Sequence, residues 1–583
     1  MCGIVGIVGA PEPAPLEQMT DDLAHRGPDD RGVWRGDGAE IGHTRLSILD
    51  LSTAGRQPME LGPHVLTYNG EIYNFRELRR SLPGPFLSDS DTEVLLHLLA
   101  HEGPGCLHRL RGMFALAIWD RRERRLFAAR DRLGIKPLLY RELPGGGLAF
   151  ASEIRPLLEL GRPPVDRTAL RDYFTYKYVP EPKTIYQGIR KLPPAHCLTW
   201  QSGRLEVRRW WEPASRPPVV DPDAAIEELG ELLAQAVPEH TVSDVPVAVF
   251  LSGGIDSTTI VAHLDRPRTF TLGTDVKRRD ESVHARRIAE HFGTRHQEAT
   301  AGAVDLDEAL DTIPRIFGEP FGDTGAWATY LVSRLARRHV TVALSGEGGD
   351  EIFCGYQWYS KWITDRSTLL LRWMAALAPP FASGARSAQR RTSRGLERYG
   401  AFLGPFTGVQ RRALLGPALE LDGYDDLWHF RRHWREELPP VKRMQWADLH
   451  TYLPGQLLTK VDRASMAHSL EVRPPLLDHR LVELTLALDP SLLHDVERGR
   501  GKVIVRRLME PRIPEGFFDR PKRGFNLPFK TWVRKRRGLL DGALDRLADA
   551  RVIRRPRRPA LTNEQTWTLL SLDRWLTASG AGW

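Results

Sequence analysis

The chain opens MCGIVGIVGA, with a cysteine at position 2 ahead of an apolar, glycine-punctuated run. Removal of Met1 would leave Cys2 N-terminal, its thiol beside its own α-amine, one nucleophile next to one base. Chain starts also tolerate most residues, so Cys2 by itself decides nothing. Two later stretches carry chemistry of another kind. In VPVAVFLSGGIDSTTIVAHL (245–264) an apolar run ends in Ser252-Gly253-Gly254-Ile255-Asp256-Ser257 and a helical pattern follows. Paired glycines allow a ligand close to the backbone, a helix start offers N–H groups and positive dipole, and the serines add hydroxyls. That suits a phosphate or pyrophosphate, although the spacing is neither G-x-x-x-x-G-K-S/T nor G-x-G-x-x-G. Asp256 inside an anion-binding loop makes sense as a Mg2+ ligand. VTVALSGEGGDEIFCGY (340–356) repeats the design with Ser345, Gly346, Glu347, Gly348, Gly349 and Asp350. Asp350 could complete a Mg2+ shell, and Glu347 could act as a base toward an incoming amine.

The patterning around these residues indicates what must position them. Residues 1 to about 205 are dense in short β-type runs, among them CGIVGIVG, EIGHTRLSILDL, HVLTYNGEIYN and GMFALAIWD, with a clear helical pattern in DTEVLLHLLAHEG (91–103). Many strands in series with few helices predict a layered, mainly antiparallel α+β domain. WWEPASRPPVVDPD (210–223) is proline-rich and aperiodic and reads as a linker, giving domains over 1–209 and 224–583. In the second, the strands VPVAVFLSGG, RTFTLGT and HVTVALSGEGGDE alternate with helical patterns. This predicts an α/β parallel sheet covered by helices, with both glycine-rich loops at its carboxyl edge. Residues 360–583 read as mostly helical, and no internal repeat is present.

Composition sets outer limits. The 583 residues are 41% hydrophobic and 27% charged, and the net charge of +8 comes from 82 basic against 74 acidic residues, a mixed-sign surface. SGARSAQRRTSRGLER (383–398) is locally basic but lacks the aromatic interleaving or zinc spacing of a nucleic-acid binder. Four scattered cysteines, Cys2, Cys106, Cys197 and Cys354, argue against a disulfide framework and a zinc site and favour a reducing compartment. The start has no basic segment leading into a long apolar one. STLLLRWMAALAPPF (367–381) is interrupted by Arg372 and broken by Pro379 and Pro380, too short to span a bilayer. A soluble cytoplasmic protein is expected, with no nucleic-acid or membrane partner and with a homodimer open to it.

Taken together, the motifs resemble the glutamine-hydrolysing asparagine synthetases. The SGGIDS loop is similar to the pyrophosphate-binding loop of the N-type ATP pyrophosphatases. CGIVG, HRGPDD (25–30), RLSILDL (45–51), NGEIYN (69–74), SDSDTEVLL (88–96), GMFALAIWD (112–120) and RDRLGIKPLLY (130–140) resemble the family's glutaminase domain, an N-terminal-nucleophile hydrolase. KVDRASMAHSLEVRPPLLDHRLVE (460–483) and RPKRGFNLPF (520–529) extend the match. The resemblance implies a layered αββα domain followed by a parallel-sheet ATP pyrophosphatase domain with a largely helical C-terminal part. It implies that Cys2 attacks the glutamine amide with its α-amine as base, and that Asn69 and Gly70 form the oxyanion hole. Arg45 would clamp the glutamine α-carboxylate, and Glu71 and Asp91 would receive the α-amine, beside Asn69. In the second domain Ser252, Gly253, Gly254, Asp256 and Ser257 would hold the pyrophosphate of ATP and Mg2+. Leu251, Leu272, Ser345 and Gly346 would line the rest of the nucleotide, and Asp350 would bind Mg2+. Glu347 would deprotonate the attacking ammonia, and Lys502 would stabilise phosphate charge. The implied product is asparagine, made through β-aspartyl-AMP from ammonia that crosses an internal tunnel.

The resemblance thins at the acceptor. FGEPFGDTGAWATYLVSR (317–334) lies where the acceptor pocket is expected. Gly325 stands in place of an expected serine, Pro474 in place of a valine, and GQLLTKVDR (455–463) lacks the acid often seen ahead of its lysine. Aspartate is therefore the leading acceptor. The alternative is the same chemistry on another carboxylate in a secondary-metabolite or polysaccharide pathway. A catalytically silent binder is disfavoured because Cys2, Asp256 and Glu347 are all kept.

Overall fold

The computed structural model describes residues 2–10, 14–275, 280, 282–302, 306–364, 367–518, 527, 529–536, 538–557 and 559–580. Met1 and most of RPKRGFNLPF lie outside the described residues. The first half supplies β1 (Gly3–Val8), β2 (Asp30–Gly36), β3 (Ala39–Arg45), β4 (Met59–Leu61), β5 (His64–Ile72), β6 (Gly112–Asp120), β7 (Arg125–Arg130), β8 (Leu139–Glu142), β9 (Leu148–Ala151), β10 (Ile189–Lys191), β11 (His196–Gln201) and β12 (Arg204–Arg209). These form two antiparallel six-stranded sheets, ordered β10-β8-β9-β1-β3-β2 and β12-β11-β7-β6-β5-β4. The period-2 alternation of β6 explains why they stack. Phe114, Leu116 and Ile118 join Val94, Leu95 and Leu98 of helix Asp91–Glu102 in one cluster. Ala115, Ala117 and Trp119 join Ile4, Val8 and Phe150 of the facing sheet in another. On the far side, Val5 and Ile7 of β1 pack with Leu16 and Met19 of helix Leu16–Asp21. The layers run helix, sheet, sheet, helix.

The second half contributes β13 (Val247–Phe250), β14 (Arg268–Thr274), β15 (Arg295–Ala301), β16 (Val342–Leu344) and β17 (Glu471–Arg473), ordered β15-β14-β13-β16-β17 and parallel throughout. The sequence pattern identifies β13, β14 and β16. It misses β15, whose RHQEATA is polar and only its last residue fully buried, and β17, which is three residues long. The chain moves outward from β13 to β14 and β15, then returns to place β16 and β17 on the other side. Such a reversal opens a crevice at the carboxyl ends of the two central strands, and both glycine-rich loops leave from there. Helices then predominate to Asn563–Ser579. The basic 383–398 segment contains helix Ala385–Thr392.

The halves share apolar surface. Tyr176 and Tyr178 belong to the same cluster as Ala248 and Val249 of β13, and Leu46 and Ile48 pack with Val342 and Met466. Among the described residues, no helix is long and apolar enough to cross a membrane.

Candidate active sites

Cys2 stands immediately before β1 and is 8% exposed. Antiparallel register sets Gly3 opposite Thr44, which brings Arg45, at the end of β3, alongside Cys2. The Cys2 backbone nitrogen, the atom that becomes an amine when Met1 is lost, donates to Asn69 Oδ1 at 3.0 Å. Asn69 is fully buried, and its Nδ2 has no hydrogen-bond partner among the described residues. A fixed donor with nothing to donate to is what a developing oxyanion requires. Gly70 follows Asn69 in β5, opposite Phe114 of β6. Burial pushes the Cys2 thiol up from its ordinary range, so ionisation must be coupled to a base and to substrate.

Two buried carboxylates lie beyond. Asp91 opens helix Asp91–Glu102, whose start is capped by Ser90 Oγ accepting from Glu93 N at 3.2 Å. Asp91 Oδ2 accepts from Tyr68 OH and from Ile72 N, both at 2.9 Å. Glu71 Oε2 accepts from Arg473 Nη2 at 3.0 Å, while its Oε1 has no partner among the described residues. Burial raises Asp91 to about 6 and Glu71 well above its usual range. An ammonium guest would favour the ionised form of both, and the open Glu71 Oε1 could accept from it. The Arg45 guanidinium rests on main-chain oxygens, donating to Ser52 at 2.7 Å, to Leu49 at 3.3 Å and to Asp50.

In the second half the two predicted loops interlock. Gly253 adopts φ +68°, which favours glycine, and a Cβ there would sit 2.7 Å from Ala285 N. Ser252 N donates to Ser257 Oγ at 3.2 Å, and Gly254 N donates to Ser252 Oγ at 3.2 Å, which keeps the loop tight around the start of helix Ile255–Val261. A Cβ on Gly346 would lie 2.8 Å from Asp256 Cβ and 2.9 Å from Ser257 N, so only glycine lets the second loop meet the first. Ser345 N donates to Arg473 O at 2.9 Å, tying that loop to β17. Leu251 N is held by Phe270 O at 2.9 Å, and both Leu251 and Leu272 line the same cavity.

Lys502 completes the convergence. It caps helix Val503–Met509 in the left-handed region, and its Nζ lies 2.7 Å from Asp350 Oδ1 and also pairs with Asp256 Oδ2. Burial alone would lower this ammonium, but the two carboxylates more than reverse it. Two acids that share one cation also fit Mg2+, which takes one or two carboxylates and fills its remaining positions with water and phosphate oxygens. No cluster of three or more protein ligands occurs among the described residues, so phosphate would have to supply the rest. Glu347 Oε1 accepts from Lys460 Nζ at 3.0 Å. The cavity measures about 730 Å3 and reaches from the loops past Gly325 and Gln456 to Trp358 and Phe402. Gln456, within GQLLTKVDR, donates through Nε2 to Asp323 Oδ2 at 2.6 Å and leaves a buried Oε1 without a partner among the described residues. Pro474 does not line this cavity. It lines a separate void of about 10 Å3 with Lys136, Asp462 and Val472, which touches the main cavity's wall at Ser345, Glu347 and Val461.

Several residues that join the sites carry no assignment from sequence. Arg26, within HRGPDD, is wholly buried, donates to Cys2 O at 3.1 Å and makes a bidentate pair with Asp462 at 2.9 and 3.0 Å. Glu153 bridges Arg26 at 2.7 Å and Arg463 at 2.6 Å. Arg473 is equally buried. A fully charged residue inside a quoted motif is a signal that could have flagged Arg26. Nothing local marks Arg473, whose partner Glu71 is 402 positions away.

Comparison with known proteins agrees with both halves. The Asparagine synthase family model matches residues 228–577, and the Glutamine amidotransferase domain model matches 1–211. A Mycobacterium bovis protein, provisionally named a glutamine-hydrolysing asparagine synthetase, is 37% identical over 92% of this chain and 88% of its own. Asparagine synthetase (glutamine-hydrolysing) 1 of Bacillus subtilis is 32% identical over the same shares. Amidase chry2 of Gibberella zeae is 28% identical over 89% of this chain and 85% of its own. The chain belongs to the asparagine synthase family, with a glutamine amidotransferase domain ahead of its synthase domain.

Proposed function

We propose that the chain is a glutamine-dependent, ATP-consuming amide synthetase, with aspartate as its leading acceptor and a division of labour across residues 210–223. The observation that carries this reading is the convergence of Asp256, Asp350 and Lys502 at the β13/β16 crevice, while Cys2, Asn69 and Glu71 converge in the other half. After loss of Met1 the Cys2 thiol gives its proton to the α-amine and its sulfur attacks the glutamine side-chain carbonyl. Asn69 Nδ2 and the Gly70 N–H hold the oxyanion, ammonia leaves with the proton, and water hydrolyses the thioester to glutamate and free thiol. Arg45 receives the glutamine α-carboxylate; Glu71 and Asp91 receive its ammonium.

In the second half Ser252, Gly253, Gly254 and Ser257 hold the β- and γ-phosphates. Asp256 and Asp350 would hold Mg2+, which would supply charge neutralisation for the leaving pyrophosphate. Lys502 takes up charge on the α-phosphate as the acceptor carboxylate displaces pyrophosphate to form an acyl-adenylate. Ammonia then attacks the acyl carbon, Glu347 takes a proton, and AMP leaves with the amide formed. Lys460, donating to Glu347 Oε1 at 3.0 Å, orients that carboxyl for this step. Ammonia released at Cys2 has to reach Glu347, and Pro474 lines a small void beside Glu347 with Lys136 and Asp462.

A second acceptor reading has its own support. The outer cavity wall carries Trp358, Phe402 and Leu403, and Lys177 and Arg386 there are both engaged by Glu564, at 2.6 and 3.0 Å. With neutral Gln456 nearby, that wall favours a carboxylate attached to a larger, partly apolar body. Pyrophosphate release measured with L-aspartate and with a panel of larger carboxylates, each with ATP, Mg2+ and glutamine, separates the two. Strong release with aspartate, with asparagine and AMP formed together, supports the first. Glutamine hydrolysis with release only on larger carboxylates supports the second.

A further inference from the structure

Glu71, in the glutamine pocket of the first half, has its charged partner in the second half. Arg473 is the last residue of β17, an edge strand of the parallel sheet, and is 0% exposed. Its guanidinium donates through Nη2 to Glu71 Oε2 at 3.0 Å, through Nε to Glu471 Oε1 at 2.6 Å, and through Nη1 to His240 O at 2.9 Å and Val242 O at 2.6 Å. Four anchors leave it one orientation, and that orientation fixes which Glu71 oxygen is occupied. The other, Oε1, stays open. From its own half Glu71 faces Asp91, like Glu471 a carboxylate that opposes its ionisation, and the N-terminal amine, which favours it. Arg473 is the one cation in direct contact with Glu71 among the described residues, and it opposes the burial that raises this carboxyl. Its carbonyl also accepts from Ser345 N at the root of the nucleotide loop.

We propose that Arg473 is a positioning residue for glutamine: the synthase half, through β17, completes the α-amine site of the glutaminase half. This rests on the reading of Glu71 as an α-amine ligand. Lysine at 473 keeps a charge but lacks the planar fork needed to serve Glu71, Glu471 and two carbonyls together. Glutamine binding to Cys2→Ala and to Cys2→Ala/Arg473→Lys, measured by calorimetry on the full chain, tests it, with 4-carbamoylbutanoate, which lacks the α-amine, as second ligand. The lysine variant should bind glutamine roughly tenfold more weakly, a factor typical of one coupled contact, and should bind the amine-free analogue as its parent does. Adding Glu71→Gln should then cost no more than Glu71→Gln alone. Unchanged glutamine affinity, or equal loss for both ligands, overturns the role of Arg473. Failure of the Cys2→Ala parent to bind glutamine at all overturns the glutaminase reading beneath it. If lysine is not accommodated, Arg473→Gln carries the same comparison.

Discussion

Asp256 and Asp350 grip one ammonium, Lys502, at the β13/β16 crevice, the place proposed for a nucleotide's phosphates and their metal. Asp256→Ala should stop pyrophosphate release with either glutamine or ammonia as nitrogen source, a loss of at least about a hundredfold by analogy with single electrostatic groups in other sites. Normal release would remove Asp256 from the site. Cys2→Ala should abolish glutamine-dependent synthesis and spare ammonia-dependent synthesis, assayed side by side. Asp91 adds a pH signature. Burial lifts it from 3.8 to about 6, so the empty fold binds this proton more tightly than the unfolded chain does. That contribution is present below pH about 4 and is lost as pH rises through about 6. An ammonium guest reverses the preference. Glutamine should therefore raise the melting temperature of the Cys2→Ala chain more at pH about 7.5 than at about 5.5, and equal shifts at both would contradict the role given to Asp91.

Element by element, the glycine-rich loops hold these side chains through close backbone packing. Gly355, just past the second loop, shows how little room there is: a Cβ there would collide with Asp350 Oδ1 and Lys502 Cε. Gly355→Ala should push the acid and the lysine apart, slowing pyrophosphate release at least tenfold while leaving glutamine hydrolysis near its starting rate, at a stability cost of about 1–3 kcal/mol. Both loops are legible in the sequence, because strand, glycines, hydroxyls and acid lie within one local run, whereas Cys2 alone decides nothing and the reading of Asn69 and Glu71 comes from the family resemblance. β17 is not legible there. Three residues carry no period, and their meaning comes from pairing with β16 and from the reach of Arg473 across the halves. Lys460 and Gln456 were quoted for what precedes or follows them, yet their contacts with Glu347 and Asp323 belong to tertiary structure. Pro474 stands among the departures near the expected acceptor pocket, and only the folded chain puts it in a small void beside Glu347.

For the molecule as a whole, the contact between halves is built from buried, paired charge as well as apolar packing. Arg26 touches the carbonyl of Cys2 and grips Asp462 of helix Thr459–Met466, which also carries Lys460 toward Glu347. Asp462→Ala would leave the wholly buried Arg26 with half its charge partners. We expect a loss of about 3–5 kcal/mol in unfolding free energy and glutamine hydrolysis out of step with synthesis. An unchanged denaturation midpoint would contradict it. Coupling of two chemistries in one chain is the central claim, and one assay reaches it most directly. Wild-type protein is given ATP, Mg2+, glutamine and aspartate or another accepted carboxylate, and glutamate, AMP, pyrophosphate and the amide product are quantified together. AMP, pyrophosphate and amide should appear in equal amounts, with at least as much glutamate. Glutamine hydrolysis with no AMP on any carboxylate, or AMP formed with no amide, would contradict it.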